Sequence, residues 1–453
     1  MTVNKYKEIT SKLREIIKDT KWENHLFTVG GCNRDTIMGG FEIKDVDLVC
    51  DLPNGGIEFT KWLEENNYTT SSVVTYENFG TAMFHLKAFP DIELEIVHTR
   101  KECYHDAKSR NPETSYGTLK EDWTRRDFTI NAIYYDISND LMIDFENRGV
   151  NDIKKGIIRT CGDPEIIFKE DPLRCLRMVK FASRYNFEID NNTFFCAKNF
   201  VERLEIISKE RITDEFTKMM TYSKESAKKS LCFLYDLGAF QFIIPELHEC
   251  GVYKLFKIIN ELKIVYKTDI SLILTKLLFH CKNTSFEKKS DYIKYILQEV
   301  LIYSNDIVNE VIFLSNMNEK LHKLCTDISV SLYEHSYEVR RIMNLCGSKE
   351  RFYNATICGS KRVNNEFHNT WDMSTPSLFK EFDKEDSMFY TYKLPIDGND
   401  VMEVFNIEPS KKVKKILDKV FTFVLINTDK TSKEDCMDYL KYLKKTEDEF
   451  GDF

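Results

Sequence analysis

The sequence predicts an α+β head domain followed by an all-α remainder. Up to about residue 160, segments with the pattern of β-strands alternate with helical segments. From about residue 168 onward glycines are few, and long stretches rich in leucine, isoleucine, phenylalanine, lysine and glutamate are typical of helices. The predicted strands of the head cover residues 25–31, 45–50, 72–75, 81–87, 92–99 and 133–136.

The chain is too long for one hydrophobic core, since it has 453 residues. Within the helical part, breaks are indicated at Gly238, at Pro245 and around residues 369–376 and 394–399. We predict four domains, namely a head over residues 1–160, a helical neck over 161–225, a helical body over 226–375 and a helical tail over 376–453.

The composition is typical of a globular protein in water, with 42% hydrophobic and 30% charged residues. The sequence shows neither an apolar run of membrane-spanning length nor a signal-peptide core, so we expect a cytoplasmic protein without a membrane partner. Its thirteen cysteines are irregularly spaced and include no Cys-x-x-Cys pair. We therefore expect free, buried thiols in a reducing compartment.

The net charge of −9 argues weakly against a general nucleic-acid binder. It leaves room for RNA binding through local basic patches. On its own, a lysine cluster near the C-terminus has the pattern of a solvated helix face. The cluster consists of Lys411, Lys412, Lys414, Lys415 and Lys419.

Two glycines and two aspartates near the N-terminus suggest a nucleotidyl-transfer site. Asp45 and Asp47 alternate along a predicted strand, so both project to one face, and their repulsion costs stability unless a cation holds them. Mg²⁺ is the expected cation, because it combines carboxylate oxygens with substrate phosphates. Just upstream, Gly30 and Gly31 allow the backbone to approach those phosphates closely.

A third carboxylate joins this site if two predicted strands are neighbours. Glu93 and Glu95 lie on one face of the strand at 92–99. Pairing of that strand with the strand of Asp45 and Asp47 would place Glu95 near the metal.

Arg125, Arg126 and Asp127 form a second candidate site. Guanidinium groups match phosphate oxygens. A carboxylate accepts hydrogen bonds from ribose hydroxyls, which would favour ribonucleotides. The alternative interpretation is a capped helix start with an exposed ion pair.

The segment from Glu170 to Lys180 is a candidate reader of nucleotide bases. We predict a helix that starts near Glu170 or Asp171. Asp171 and Arg174 then share one helical face and together offer acceptors and donors, as a base edge does. The alternative is a salt bridge between them, worth ~0.3 kcal/mol. Arg177 and Lys180 either reach phosphates or RNA, or are plain surface charges.

In this order and spacing, the motifs resemble those of the class II tRNA nucleotidyltransferases, the CCA-adding enzymes of the polymerase-beta-like superfamily. The resemblance covers residues 25–215 and implies that family's nucleotidyltransferase head, with a small mixed sheet, followed by a helical neck, body and tail. The family's motifs are matched in turn by Gly30, Gly31, Arg34 and Asp35 with Asp45 and Asp47, by Arg125, Arg126 and Asp127 with Asn131 and Ala132, by Asp152, Gly156 and Arg159, and by Glu170, Asp171 and Arg174.

The resemblance implies one reaction, which is template-independent addition of CCA to the 3′ end of tRNA from CTP and ATP, with release of pyrophosphate. Its partners would be tRNA, CTP and ATP, with Mg²⁺ as cofactor and no DNA. The implied metal ligands are Asp45 and Asp47, joined at the catalytic centre by Glu95. The implied nucleotide contacts are Gly30, Gly31, Arg34, Arg125 and Arg126 near the phosphates, Asp127 and Asn131 near the ribose, Asp171 and Arg174 at the base, and Arg177 and Lys180 beside the nucleotide or primer end.

Two further segments carry the resemblance. Arg100 to Tyr104, with Arg110 and Pro112, corresponds to the family's loop that helps to switch specificity from C to A. Residues 394–402 resemble the start of the family's tail, which grips tRNA. We therefore expect RNA binding by Lys411, Lys412, Lys414 and Lys415.

The chain departs from the family pattern at three informative places. The glycines that the family has after Pro409 are replaced by residues 410–413, Ser-Lys-Lys-Val, so the RNA contacts of the tail are expected to differ. Asn33 stands where the family usually has valine. Cys281, next to His280, stands where some bacterial relatives have the aspartate of a His-Asp metal phosphohydrolase. We expect no phosphohydrolase activity there.

Other functions remain open at the level of the sequence. A bacterial poly(A) polymerase has nearly the same head, and a CC-only or A-only enzyme is a narrower variant. From a different class, an inactive RNA-binding relative would bind without turnover, although it would have no need of paired carboxylates.

Overall fold

The protein is described by a computed structural model. It covers residues 1–39, 43, 45–70, 73–77, 80–103, 113–251, 253, 255, 258, 269–279, 281, 286–326, 336–358 and 386–450. The chain forms two compact units, the first comprising Met1–Leu255 with Val300–Ile302 and the second comprising Phe256–Glu299 with Tyr303–Phe453.

A seven-stranded mixed sheet organises the first unit. Its strand order is β3-β4-β5-β2-β1-β8-β9, in which β2 and β5 are parallel and the other neighbours are antiparallel. The strands are β1 (Leu26–Val29), β2 (Val46–Cys50), β3 (Val74–Tyr76), β4 (Thr81–His85), β5 (Glu93–His98), β8 (Tyr134–Asp136) and β9 (Leu141–Ile143). The six predicted strands are thus confirmed, whereas the short edge strand β9 was not predicted.

Two small two-stranded sheets complete the strands of this unit. An antiparallel hairpin pairs β6 (Arg100–Cys103) with β7 (Glu113–Tyr116). A parallel pair joins β10 (Ile157–Ile158) to β11 (Glu188–Ile189).

Twelve α-helices belong to the described part of the first unit. α1 packs on the sheet through Ile9 and Leu13, which are fully buried. The helices are α1 (Val3–Ile17), α2 (Gly31–Met38), α3 (Gly55–Glu65), α4 (Leu119–Arg125), α5 (Arg148–Lys155), α6 (Pro164–Glu170), α7 (Arg174–Tyr185), α8 (Asn191–Phe200), α9 (Lys209–Thr221), α10 (Lys224–Leu237), α11 (Phe240–Ile243) and α12 (Pro245–Glu249).

The alternation of side chains along β2 separates core from site. Val46, Leu48 and Cys50 are buried in the core that includes α1 and α3. Asp47 therefore projects from the opposite face, as the sequence predicted. On that face Val29 and Trp123 belong to a second buried cluster.

The second unit is helical in its described residues. One buried cluster includes Leu272, Leu314 and Met343, and another includes Val420 and Leu440. The helices are α13 (Ile270–Phe279), α14 (Lys289–Tyr295), α15 (Asn305–Thr326), α16 (Ser336–Cys346), α17 (Lys349–Cys358), α18 (Gly398–Phe405), α19 (Lys411–Ile426) and α20 (Lys433–Phe450). The predicted α+β head with a helical remainder is confirmed.

Two other sequence-based expectations concern membrane-spanning helices and the state of the cysteines. Within the described ranges, no helix is long and apolar enough to cross a membrane. Ten described cysteines are free, in agreement with the predicted thiols.

One predicted helix boundary is wrong. Glu170 is the last residue of α6, Asp171 caps that helix, and α7 begins only at Arg174. The pair Asp171-Pro172 separates two helices because the residue before a proline is disfavoured in helical conformation.

Candidate active site

A glycine turn places the start of α2 against the carboxylates of the sheet. Gly30 follows β1 with a φ of 85°, a conformation that L side chains rarely adopt. A Cβ atom on Gly30 would lie 3.2 Å from Oδ2 of Asp47. The turn thus brings the backbone at Gly30 close to an acidic side chain.

The carboxylates of β2 and β5 lie side by side. These parallel strands pair Asp47 with Glu95, which confirms the strand adjacency on which the third carboxylate depended. Burial, together with the charges of Glu95 and Asp45, raises the pKa of Asp47 to about 6, against opposing effects of Arg126 and Arg34. Burial, Glu93 and Asp45 likewise raise the pKa of Glu95.

These carboxylates suit a divalent cation. Mutual repulsion destabilises the charged forms of these carboxylates. A bound divalent cation relieves this repulsion because it supplies positive charge to their oxygen atoms. Asp45, just before β2, is exposed, while Asp47 is partly buried. In the described part of the chain no group of three His, Cys, Asp or Glu side chains already has the arrangement of a metal site. The donor set fits a metal that substrate phosphates help to hold.

Arg34 is buried beside the glycine turn. Its Nε and Nη2 donate to the two carboxylate oxygens of Asp35 at 2.8 and 3.1 Å, and Nη1 donates to Oδ1 of Asn131. The guanidinium lies 4.7 Å from the ring centre of Tyr185. Arg34 is therefore held rigidly next to the turn.

Asn33, the departure from the family's valine, is fully satisfied. Its Nδ2 donates to the carbonyls of Thr28 and Ile133 at 3.0 and 2.9 Å. Its Oδ1 accepts from the hydroxyls of Tyr6 and Thr28. The amide thereby ties α1, β1 and the segment before β8 beneath the glycine turn.

Arg125 and Arg126 share a buried carboxylate that the sequence analysis missed. Asp122 is fully buried and accepts from Nε of Arg125 at 3.0 Å and from Nε of Arg126 at 2.9 Å. Burial alone would raise the pKa of Asp122, but the two guanidinium charges lower it to about 2. The spacings of three and four residues along α4 were the available signal.

Asp127 also has several partners. Phe128 N donates to its Oδ1 at 2.8 Å, and Arg177 donates twice to its Oδ2, at 2.9 and 2.6 Å. Asn131 Nδ2 donates to Oδ1 at 3.2 Å. The alternative of an exposed ion pair at a helix start is wrong, because Asp127 is 8% exposed and follows the end of α4.

Arg177 and Lys180 are not plain surface charges. Glu215, on α9, is 4% exposed and lies 3.7 Å from Arg177 Nη1 and 2.7 Å from Lys180 Nζ. Sequence reasoning missed Glu215, since its partners lie more than thirty residues away. The carboxylates of Asp127 and Glu215 thus orient both cations.

The two candidate base-reading residues, Asp171 and Arg174, do not form the salt bridge that was the predicted alternative. Arg174 is paired with Glu170 at 3.1 Å and donates to the carbonyls of Ile167 and Arg125 at 3.0 and 2.9 Å. Asp171 pairs with Arg211 at 3.0 Å. The supposed salt bridge between Asp171 and Arg174 is therefore wrong, and each side chain has its own support.

The third motif supports the turn that carries Asn131. Thr129 Oγ1 donates to Asp152 Oδ2 at 2.7 Å. Arg159 Nε lies 3.4 Å from the same oxygen. Gly156 ends α5 with a φ of 68°.

The remaining predicted residues lie elsewhere. Tyr104, Arg110, Pro112 and His280 are outside the described residues, although the hairpin of β6 and β7 forms the base of the loop. The C-terminal lysines occupy the first two turns of α19, where Lys412 pairs with Glu447. They are Lys411, Lys412, Lys414 and Lys415.

Comparisons with known proteins identify similar families and relatives. Residues 26–159 match the family "Poly A polymerase head domain", and residues 186–250 match "Probable RNA and SrmB- binding site of polymerase A". The CCA-adding enzyme of Ligilactobacillus salivarius is 27% identical over 95% of each chain. The tRNA nucleotidyltransferase cca2 of Schizosaccharomyces pombe is 26% identical over 92% of each chain.

The fold is also that of solved structures. The CCA-adding enzyme of Bacillus stearothermophilus in complex with CTP superposes with a TM-score of 0.67 and 20% identity, over 98% of both chains. A CCA-adding enzyme in complex with ATP gives a TM-score of 0.69 at 19% identity, over 97% of this chain and 96% of that chain.

The glycine turn, the carboxylate row and the matched head define a nucleotidyltransferase of the poly(A) polymerase head type. Within that class, the chain is similar to a tRNA nucleotidyltransferase over 92% of its length and to a CCA-adding enzyme over 95% of its length. A head of this type implies use of a divalent metal ion.

Proposed function

We propose that this protein adds CCA to the 3′ end of tRNA, using CTP and ATP and releasing pyrophosphate without a nucleic-acid template. The observation that carries the proposal is the pairing of Asp47 with Glu95 directly beside the turn at Gly30. The relatives named as CCA-adding enzymes support it, as do solved complexes with CTP, ATP and tRNA.

The carboxylates of Asp45, Asp47 and Glu95 form the proposed catalytic centre. Asp45 and Asp47 would hold Mg²⁺, with Glu95 beside them. When bound, Mg²⁺ would activate the 3′-hydroxyl and stabilise the leaving oxygen. The strands that carry Asp47 and Glu95 contain no lysine or arginine, so they place no cationic side chain that would compete with Mg²⁺ for these carboxylates.

The proposed triphosphate site combines backbone amides with guanidinium groups. Gly30 and Gly31 offer a turn without side chains at the start of α2, where the helix dipole favours anions. Arg34 and Arg126 carry the positive charge, and Arg125 braces Arg126 through their shared carboxylate at Asp122. Rigid donors of this kind stabilise developing charge without reorganisation.

Sugar and base recognition fall to residues that other side chains hold in place. Asp127, with Asn131 beside it, would accept from the ribose hydroxyls. Asp171 and Arg174 would read the base edge of cytosine and adenine. Arg177 and Lys180 would act beside them.

The tail lysines would bind the tRNA body. Lys411, Lys414 and Lys415 are exposed on α19, which suits contact with phosphates. We propose the same four domains as above, that is a head (1–160), neck (161–225), body (226–375) and tail (376–453). The site of action would be the cytoplasm.

The decisive assay is incubation of the purified protein with tRNA that lacks its CCA end, Mg²⁺ and labelled CTP and ATP, together and singly. We expect three added nucleotides, with two C additions from CTP alone. Long A tails from ATP alone would instead indicate a poly(A) polymerase. Absence of incorporation with several metals and salts would refute the enzymatic proposal.

The site assignment is tested by an Asp45→Ala, Asp47→Ala double variant. We expect at least a 10³-fold loss of incorporation, in the range ascribed to electrostatic stabilisation at a catalytic centre. The matched control is Glu64→Ala with Glu65→Ala, which removes two exposed carboxylates from α3. Full activity in the aspartate variant would show that the chemistry lies elsewhere.

A further inference from the structure

We infer that the hydroxyl of Tyr134 is a positioning group for Arg126 and that it acts together with the buried carboxylate of Asp122. The inference rests on the proposed function, in which Arg126 binds the triphosphate. Tyr134 itself would touch no substrate, since its side chain is fully buried.

Three polar groups form a closed triangle. Tyr134 donates its hydroxyl proton to Oδ2 of Asp122 at 2.7 Å. Arg126 Nε donates both to the Tyr134 hydroxyl and to Asp122 Oδ2, each at 2.9 Å. Each group therefore fixes the other two, and the triangle leaves little rotational freedom to the arginine.

The exposed fraction of each side chain shows which of the three groups in the triangle can contact a ligand. Tyr134 and Asp122 are fully buried, whereas the side chain of Arg126 is 18% exposed. Only the arginine can therefore meet a nucleotide, and the other two act through it.

The register of the sheet aims this triangle at the catalytic carboxylates. Tyr134 pairs with Val29, and Val29 pairs with Asp47, so the three residues form one row across β8, β1 and β2. The guanidinium carbon of Arg126 lies 5.3 Å from the centre of the Tyr134 ring. The charge of Arg126 also acts on Asp47. Arg126 thus lies against Tyr134, in a row of paired residues that leads across the sheet to Asp47.

The neighbouring tyrosine supplies a matched comparison within the protein. Tyr135 points to the opposite face of β8, because successive residues of a strand alternate. Its hydroxyl donates to Asp140 and accepts from Arg14 Nη2, the latter at 2.7 Å. A tyrosine, an aspartate and an arginine are therefore hydrogen-bonded here as well, but on the face of the sheet away from Asp47.

The experiment compares Tyr134→Phe with Tyr135→Phe in the full-length protein. Equilibrium binding is measured with CTP, with inorganic pyrophosphate and with cytidine, and CCA addition is followed at varied nucleotide concentration. For Tyr134→Phe we expect Kd for CTP and pyrophosphate, and KM for CTP and ATP, to rise about 3- to 10-fold, as the loss of one hydrogen bond predicts. The Kd for cytidine and the KM for tRNA should stay unchanged.

For Tyr135→Phe we expect unchanged nucleotide and pyrophosphate binding, with at most a lower melting temperature. A second variant, Asp122→Asn, should also weaken pyrophosphate binding, because it removes the charged acceptor that fixes the direction of Arg126. Loss of this negative charge by itself would favour an anion, so weaker binding would report the lost orientation of Arg126. Asp122→Asn also tests the positioning role if Tyr134→Phe folds poorly.

The outcomes separate this inference from the proposed function. If pyrophosphate binding is unchanged in both Tyr134→Phe and Asp122→Asn while only stability falls, the positioning role is wrong. Weaker pyrophosphate binding in these variants supports the role even if the wild-type protein adds no nucleotides to tRNA, a result that would refute the proposed reaction alone.

Discussion

At the scale of single residues, three buried carboxylates near the candidate site are each paired with cationic side chains. Asp122 satisfies two arginines, Asp127 receives Arg177, and Glu215 lies between Arg177 and Lys180. Removing one partner of such a pair leaves a buried charge uncompensated, which costs far more than an exposed pair contributes. The arginines are thereby fixed in direction before any substrate arrives.

This matching makes stability depend on pH through Asp122. The pKa of its carboxyl is about 2 in the folded protein, against an ordinary value of 3.8. A lowered folded-state pKa contributes stability above the unfolded pKa, and the contribution is lost as pH falls toward the folded one. Between pH 5.5 and pH 3 the loss from this group amounts to about 1 kcal/mol.

Asp122→Asn should accordingly be less stable than the wild type near neutral pH and should lose less further stability on acidification. Urea unfolding, followed by circular dichroism at several pH values, measures how the free energy of unfolding of each protein depends on pH. Parallel slopes for the two proteins would mean that Asp122 titrates normally.

At the scale of elements, the two glycines that flank α2 both have a backbone conformation that favours glycine, but only Gly30 also has a side chain close to where a Cβ would lie. Gly30 and Gly39 have φ values of 85° and 66°. A Cβ on Gly30 would meet Asp47 Oδ2 at 3.2 Å, whereas no atom of the described residues lies within 4 Å of a Cβ on Gly39. Both positions are strained for alanine, but only an alanine at position 30 would crowd the proposed catalytic carboxylate of Asp47.

We expect Gly30→Ala to lower kcat/KM for nucleotide addition at least tenfold, because the turn must move away from Asp47. Gly39→Ala, the matched control, should lose a similar amount of stability, about 1 kcal/mol, and keep the activity of its folded fraction. Activity is measured on tRNA lacking CCA and corrected for the folded fraction by melting curves. Equal activity losses in the two variants would contradict a specific role for the turn at Gly30.

At the scale of the whole molecule, an acidic protein must still bind a polyanion. The net charge is −9, so contact with tRNA requires local positive surface. Lys411, Lys414 and Lys415 provide such a surface on α19. Their role is therefore expected to be electrostatic and insensitive to the nucleotide being added.

A triple variant, Lys411→Ala with Lys414→Ala and Lys415→Ala, should weaken tRNA binding and reduce the salt slope of log K by about 2 to 3, with KM for CTP and ATP unchanged. The matched control replaces three exposed lysines of the first unit, Lys7, Lys18 and Lys61, by alanine, which changes net charge equally. Filter binding at several salt concentrations measures the slope. Equal weakening in both variants would assign the effect to overall charge.

Local patterns in the sequence determined the α+β head, the six main strands, the glycine turn and the order of the motifs. These depend on alternation along strands and on residue types that a nucleotide and its metal require, which are visible without contacts. The partnership of Asp47 with Glu95 was expected only on condition that their strands paired, and the register of β2 and β5 met that condition.

Only the tertiary structure decided which groups hold the functional side chains in place. Asp122, Tyr134 and Glu215 were not singled out from the sequence, and Arg174 and Asp171 proved to have separate partners. Such pairings join elements far apart in the chain, so no local pattern encodes them. The sequence by itself determined which chemistry the protein carries, while packing decided the direction of each charge, because orientation in a buried site depends on the neighbours that folding brings together.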